Sequence, residues 1–173
     1  MRGVIPLCLK DMIVSKYGHA EWVDIVAQAG YKRDPLFLPI SDFEDEVVTA
    51  LLDASAKVLN QSLAEVSHDF GDHWINVASQ KMYSAYYEEA TSAKELLLKM
   101  DSIHVKLTRH ITNSNPPRFE CEWENENTLI MTYQSDRGMV DYLVGLIQGV
   151  GKLYNEQIKV TKLSDDKVKV IFP

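Results

Sequence analysis

The sequence predicts an α+β fold. A helical N-terminal lobe (about residues 1–65) is followed by a lobe (about 66–173) in which a roughly four-stranded antiparallel sheet carries helices. Three observations predict it. Apolar residues recur at helical spacing through most of the first 111 positions. The pattern changes to strand-like alternation after Asn113-Ser-Asn-Pro-Pro117. Helical spacing then returns once, over 139–154, ahead of a closing hairpin.

The first helix is read from Ile5, Leu7, Leu9, Met12, Ile13 and Tyr17, with Gly18 as its C-cap. Trp22, Ile25 and Val26 share one face of a second helix that ends at Gly30. After a connection containing Pro35 and Pro39, Ser41-Asp42 is expected to cap a helix carrying Phe43, Val47, Val48, Leu51 and Leu52. Ser62 with Glu65 has the capping-box spacing and starts a helix towards Val77. Leu96, Leu97, Met100, Ile103, Leu107 and Ile111 form the stripe of a long helix from about Ala93 to Ile111. Phe119–Trp123 and Thr128–Tyr133 alternate as two strands around a turn at 124–127. Tyr142, Leu143, Leu146, Ile147, Val150 and Leu153 define the last helix. Ile158–Leu163 and Val168–Phe172 close the chain as a hairpin.

Composition narrows the function. With 46% hydrophobic and 25% charged residues, the 173-residue chain has the make-up of an ordinary globular protein and can bury a core without disulfides or a structural metal. Its net charge is −7 and its longest basic run is Lys32-Arg33, which argues against nucleic acid or an anionic membrane as partner. Cys8 and Cys121 sit in neither a C-x-x-C nor a zinc spacing and suit a reducing compartment. Neither a signal peptide nor a membrane span is read at the start, so a cytoplasmic location without membrane insertion is expected.

Among the five histidines, His104 alone lies on the apolar side of a long helix. A neutral imidazole there can ligate a transition metal, although spacing alone favours a core histidine with a hydrogen-bond partner. Twenty-nine residues later comes Tyr133-Gln-Ser-Asp-Arg137. In an extended segment Tyr133, Ser135 and Arg137 share a face, and a phenol, a hydroxyl and a bidentate guanidinium suit a pair of carboxylates. The alternative is the solvent face of a strand end. One metal ligand with a carboxylate-binding set matches haem, which brings one iron and two propionates. No Gly-rich phosphate loop or Ser-His-Asp order is present, so no side-chain enzyme chemistry is indicated.

The ordered set Met1-Arg-Gly-Val-Ile5, Tyr17-Gly18 before Trp22, Phe70-Gly71, Asp101-x-x-His104, Pro116-Pro117, Tyr133-x-Ser-x-Arg137 and Gly145-Leu146-Ile147 resembles the haem-nitric oxide/oxygen binding (H-NOX) family over nearly the whole chain. The resemblance implies haem b buried between the two lobes, with His104 as the proximal iron ligand. Tyr133, Ser135 and Arg137 would bind the propionates, Pro117 and Ile5 would press on the porphyrin, and Asp45 would contact the propionate-binding arginine. Tyr142 matches the distal tyrosine of oxygen-binding members, in a gas pocket with Trp74, Leu9 and Leu146. Leu9 and Trp74 depart from the tryptophan and asparagine that those members can carry.

A haem gas sensor, not an enzyme, is what the resemblance implies. It would take nitric oxide, carbon monoxide and, given Tyr142, dioxygen as a candidate ligand. Its signal would be a change at the His104–iron bond with relaxation of the haem. The output would be a histidine kinase, a cyclase or a chemotaxis receptor, separate or fused. Three rivals stand beside it: a strictly nitric-oxide-selective sensor with an idle Tyr142, a cofactor-free interaction module, and a haem enzyme such as a peroxidase, for which only Tyr142 is a distal acid–base candidate.

Overall fold

The computed structural model describes residues 1–111 and 115–173. They form two compact units, Met1–Phe70 and Gly71–Pro173.

The first unit is built from α1 (Val4–Lys16), α2 (His19–Gln28), α3 (Asp45–Val58) and the start of α4 (Leu63–His73). α1 stops where Gly18, at φ 117°, turns the chain and donates its N–H to the Ile13 carbonyl. Leu9, Met12 and Ile13 of α1, Trp22 and Ile25 of α2, and Val48, Leu51 and Leu52 of α3 form the buried faces. The capping box forms as read: Glu65 N–H donates to Ser62 Oγ (3.2 Å), and Ser62 N–H donates to Glu65 Oε2 (2.7 Å).

Ser41 and Asp42 do not cap α3, which begins at Asp45 after Glu44. The N-terminal residues engage them instead. Gly3 N–H donates to the Ser41 carbonyl, Phe43 N–H donates to the Met1 carbonyl, and Arg2 pairs with Asp42 at 3.0 Å. That pairing holds residues 41–43 extended and delays the helix.

In the second unit α4 runs into a π turn, Trp74–Ala78, followed by α5 (Gln80–Glu88) and α6 (Ala93–Thr108). Ser92 caps α6 by accepting the Glu95 N–H at 3.2 Å. Four strands follow, β1 (Arg118–Asn125), β2 (Thr128–Gln134), β3 (Lys159–Lys162) and β4 (Lys167–Ile171), with α7 (Val140–Leu153) between β2 and β3. The sheet is antiparallel in the order β1-β2-β4-β3. The closing hairpin therefore pairs with β2 through its second strand.

Alternation decides the sheet's inner face. Leu129, Met131 and Tyr133 of β2 and Val168 and Val170 of β4 are buried with Leu96, Leu97 and Ile103 of α6 and Leu143, Ile147 and Val150 of α7. α5 buries no side chain fully, which is why no apolar period announces it.

Candidate functional site

α6 presents His104 one turn after Met100, beside the buried Ile103. Its ring lies 5.5 Å, centroid to centroid, from that of Phe119 on β1. Phe119 pairs across the sheet with Tyr133 on β2, and their rings are 5.9 Å apart. The three rings form a continuous file from α6 to the end of β2.

Asp101, three residues before His104 on the same side of α6, fixes this junction. It accepts two 2.7 Å hydrogen bonds from the Arg118 guanidinium and a third, at 3.0 Å, from the Phe119 N–H. The Arg118 fork is the main reason the Asp101 carboxyl is held down at about 2. Phe119 and the Asp101 clamp were not singled out as site residues in the sequence. Their only signals there are the buried phase of β1 and the i, i+3 spacing of Asp101 to His104.

Burial pushes the His104 pKa down, against the opposing pull of the Met100 carbonyl and of Asp101. The ring is therefore neutral at neutral pH, the form that ligates metals. Its Nδ1 is buried, with the Met100 carbonyl one turn earlier as the acceptor that favours its protonated form. Among the described residues, no three His, Cys, Asp or Glu side chains gather as a metal cage. A porphyrin iron brings four equatorial ligands of its own and needs one protein donor on this side. The donor set fits haem.

Tyr133 is buried at the end of β2, and its N–H donates to the Asp166 carbonyl at 2.6 Å. β2 ends at Gln134, so the segment is not extended through Arg137 as alternation requires. Asp136 and Arg137 instead form a turn closed by Gly138 at φ 62°, a conformation that glycine adopts without strain. Ser135 Oγ accepts the Arg137 N–H at 3.5 Å, and Arg137 Nη1 donates to the Asn115 carbonyl at 2.7 Å. Asn115 opens the 115–117 segment that ends in half-buried Pro117. The turn brings Arg137 back beside the proline segment, an arrangement that simple alternation does not give.

Tyr142 is buried on α7 with its hydroxyl enclosed, and Leu146 follows one turn later. Trp74 opens the π turn. Its carbonyl accepts from Ser79 N–H (2.8 Å) and Oγ (2.6 Å), and its ring lies 6.3 Å from that of Tyr83. Two contacts set this turn on α7. Asn76 Nδ2 donates to the Gly149 carbonyl at 3.2 Å. Gly71 passes so close to α7 that a Cβ there would lie 2.1 Å from the carbonyl carbon of Gly145.

Three further candidates lie in the first unit. Ile5 is half-buried and Leu9 fully buried on α1, and Asp45 opens α3, where it pairs with the Met1 amino group at 2.9 Å. No helix among the described residues is long and apolar enough to cross a membrane.

The family model described as Haem-NO-binding matches residues 2–162. The chain is similar to the soluble guanylate cyclases gcy-37 and gcy-34 of Caenorhabditis elegans. It is 26% identical to gcy-37 over 168 residues, covering 94% of this chain and 24% of that protein. The figures for gcy-34 are 22% over 157 residues, 88% and 23%. It thus spans about a quarter of those relatives' length. Two solved structures share the fold. An oxygen-binding H-NOX domain related to soluble guanylate cyclases, seen as its oxygen complex, superposes with a TM-score of 0.82 at 24% identity, covering 99% of this chain and 95% of that one. An Fe(II) unliganded H-NOX mutant from K. algicida gives 0.84 at 22%, with the same coverage. With the match running through nearly every element described above, this chain belongs to the Haem-NO-binding family.

Proposed function

We propose that this chain is a haem-based gas-sensing module. The single observation that carries the reading is the file His104–Phe119–Tyr133 in a chain whose family model runs from residue 2 to 162. In this reading the file links one neutral imidazole to a turn whose phenol, hydroxyl and guanidinium suit carboxylates. Haem, when bound, supplies a ferrous iron with a coordination position open to a diatomic gas.

In this reading His104 holds the iron through a neutral ring nitrogen, and its helix is the element through which a change at the metal is felt. Tyr133, Ser135 and Arg137 hold the propionates by hydrogen bonds and a guanidinium fork. Pro117 packs against the porphyrin, its segment tied to the Arg137 turn by the Asn115 carbonyl. Trp74 and Leu146 line the gas side with Tyr142.

Nitric oxide is the ligand the family name points to. Tyr142 would add a preference, because a hydroxyl donor in a dry pocket would stabilise a ligand that gathers negative charge, as dioxygen does. Carbon monoxide and nitric oxide depend on such a donor far less. The signal passes to an output protein or domain such as a histidine kinase or a cyclase.

The test is anaerobic reconstitution of the apo-protein with ferrous haem. One haem per chain is expected, with His104→Gly folding normally by circular dichroism yet retaining haem only when imidazole is supplied. Unchanged haem retention by His104→Gly without imidazole would assign the iron to another residue and overturn the reading.

A further inference from the structure

The connection between α2 and α3 carries a feature that haem binding does not use. Leu36 and Ile40 are each 78% exposed and Leu38 is 47% exposed, while Phe37 between them is buried. Three apolar side chains within five residues thus face solvent, Leu36 and Leu38 on either side of buried Phe37 and Ile40 from the turn closed between Leu38 and Ser41, and make a short exposed ridge along the connection. The ridge is held from beneath. The Phe37 ring packs edge-on against Trp22 and Phe43 at 6.4 and 5.3 Å. Below Leu36, Asp34 takes the Trp22 Nε1–H at 2.8 Å and pairs with Lys10. The Ser41 N–H closes the far end on the Leu38 carbonyl. Exposed apolar residues on an anchored backbone offer a pre-shaped contact surface, with little ordering cost left for binding.

A cleft of about 580 Å³ opens at the start of the ridge, lined by residues from Tyr31 to Leu36. It includes exposed Lys32 and Arg33, the longest basic run in a chain of net charge −7. Asp34, the acid beside them, is already taken by Lys10 and Trp22, so this positive end is not neutralised by its neighbour.

We infer that Lys32, Arg33 and the Leu36/Leu38/Ile40 ridge form a docking surface for an acidic, amphipathic segment of a partner protein. Carboxylates of that segment lie in the Tyr31–Leu36 cleft against Lys32 and Arg33. Its apolar side chains cover Leu36, Leu38 and Ile40. An anionic membrane fits less well, because the two adjacent cations Lys32 and Arg33 fall short of the cluster of about four to eight that holds a protein to an anionic surface. This surface lies outside the proposed haem-binding residues and does not depend on them.

Selection of phage-displayed random dodecapeptides on the full chain tests the proposal. Winners should be rich in Asp and Glu interleaved with Leu, Ile or aromatic residues, and their binding should weaken as salt rises. Lys32→Glu with Arg33→Glu should weaken a winning synthetic peptide by about tenfold, and Leu36→Ser with Ile40→Ser by a similar factor. All four side chains are exposed, so the variants are expected to fold, and circular dichroism checks this. Winners without acidic enrichment, or winners indifferent to both double variants, would overturn the assignment. So would vesicles of phosphatidylcholine and phosphatidylserine that bind the chain and lose it in either double variant. Self-association abolished by the same changes would also overturn it.

Discussion

His104 and Tyr142 stand on α6 and α7, helices that pack on one another in a single unit, yet the two are held in place by different physics. His104 is set by side chains: Asp101 ties α6 to Arg118 and Phe119, and Phe119 stands against the imidazole. Tyr142 is set by the lack of side chains. Gly71 crosses α7 at Gly145 and Gly149, backbone against backbone, and the π turn begins three residues later. A side-chain clamp can loosen by degrees as charges or partners change. A backbone crossing either closes or does not, because no rotamer can absorb a clash with a carbonyl. The His104 side is therefore the adjustable one, which suits the role proposed for it, reporting a change at a haem iron. The Tyr142 side has a fixed geometry, which suits the role proposed for it, discriminating between small gases.

The sharpest way to break this contrast is Gly71→Ala. The new Cβ would meet Gly145 at 2.1 Å, so the two helices must part. A loss of about 3 kcal/mol is expected in urea unfolding, the upper range for forcing a group into a packed core. A loss below about 1 kcal/mol would show that the crossing yields and that Tyr142 is not rigidly set. Tyr142→Leu comes next. Removing a donor to a charged acceptor is expected to lower dioxygen affinity about ten- to a hundredfold, with nitric oxide largely spared. Equal losses for both gases would make the tyrosine a packing residue.

Asp101→Asn tests the other half and is the smallest change. The clamp is partly exposed, so its removal should lower the melting temperature by only about 2–4 °C near neutral pH. The sign of the pH dependence follows from the depressed carboxyl. Its contribution is complete above the ordinary value of 3.8 and disappears as pH falls through about 2. Wild type and variant should therefore converge over that window, and a difference that persists undiminished at pH 2 would place the variant's effect elsewhere.

The placement of His104 and Tyr133 was legible within each element, on an apolar helix face and in the alternation of a strand, whereas their candidate roles came from the family resemblance. Phe119 was not legible, since its place between them depends on the register of β1 against β2, which no local pattern encodes. The Arg137 turn was missed for a related reason. Alternation assumes that the strand continues, whereas the chain turns at Asp136 and uses Gly138 to do so. The π turn goes with Ser79 reaching back to the Trp74 carbonyl and Asn76 to the Asp72 carbonyl, hydrogen bonds that leave no hydrophobic period. Ser41-Asp42 carried a sound capping signal, overridden by pairing with the first three residues of the chain.

The most direct test is the visible spectrum of the haem-loaded protein, reduced without air, then exposed to oxygen and finally, in a separate anaerobic sample, to nitric oxide. A ferrous spectrum that changes on nitric oxide, and changes stably in air through Tyr142, is the predicted result. A protein that takes up no haem, or whose bound ferrous haem responds to neither gas, would contradict the account.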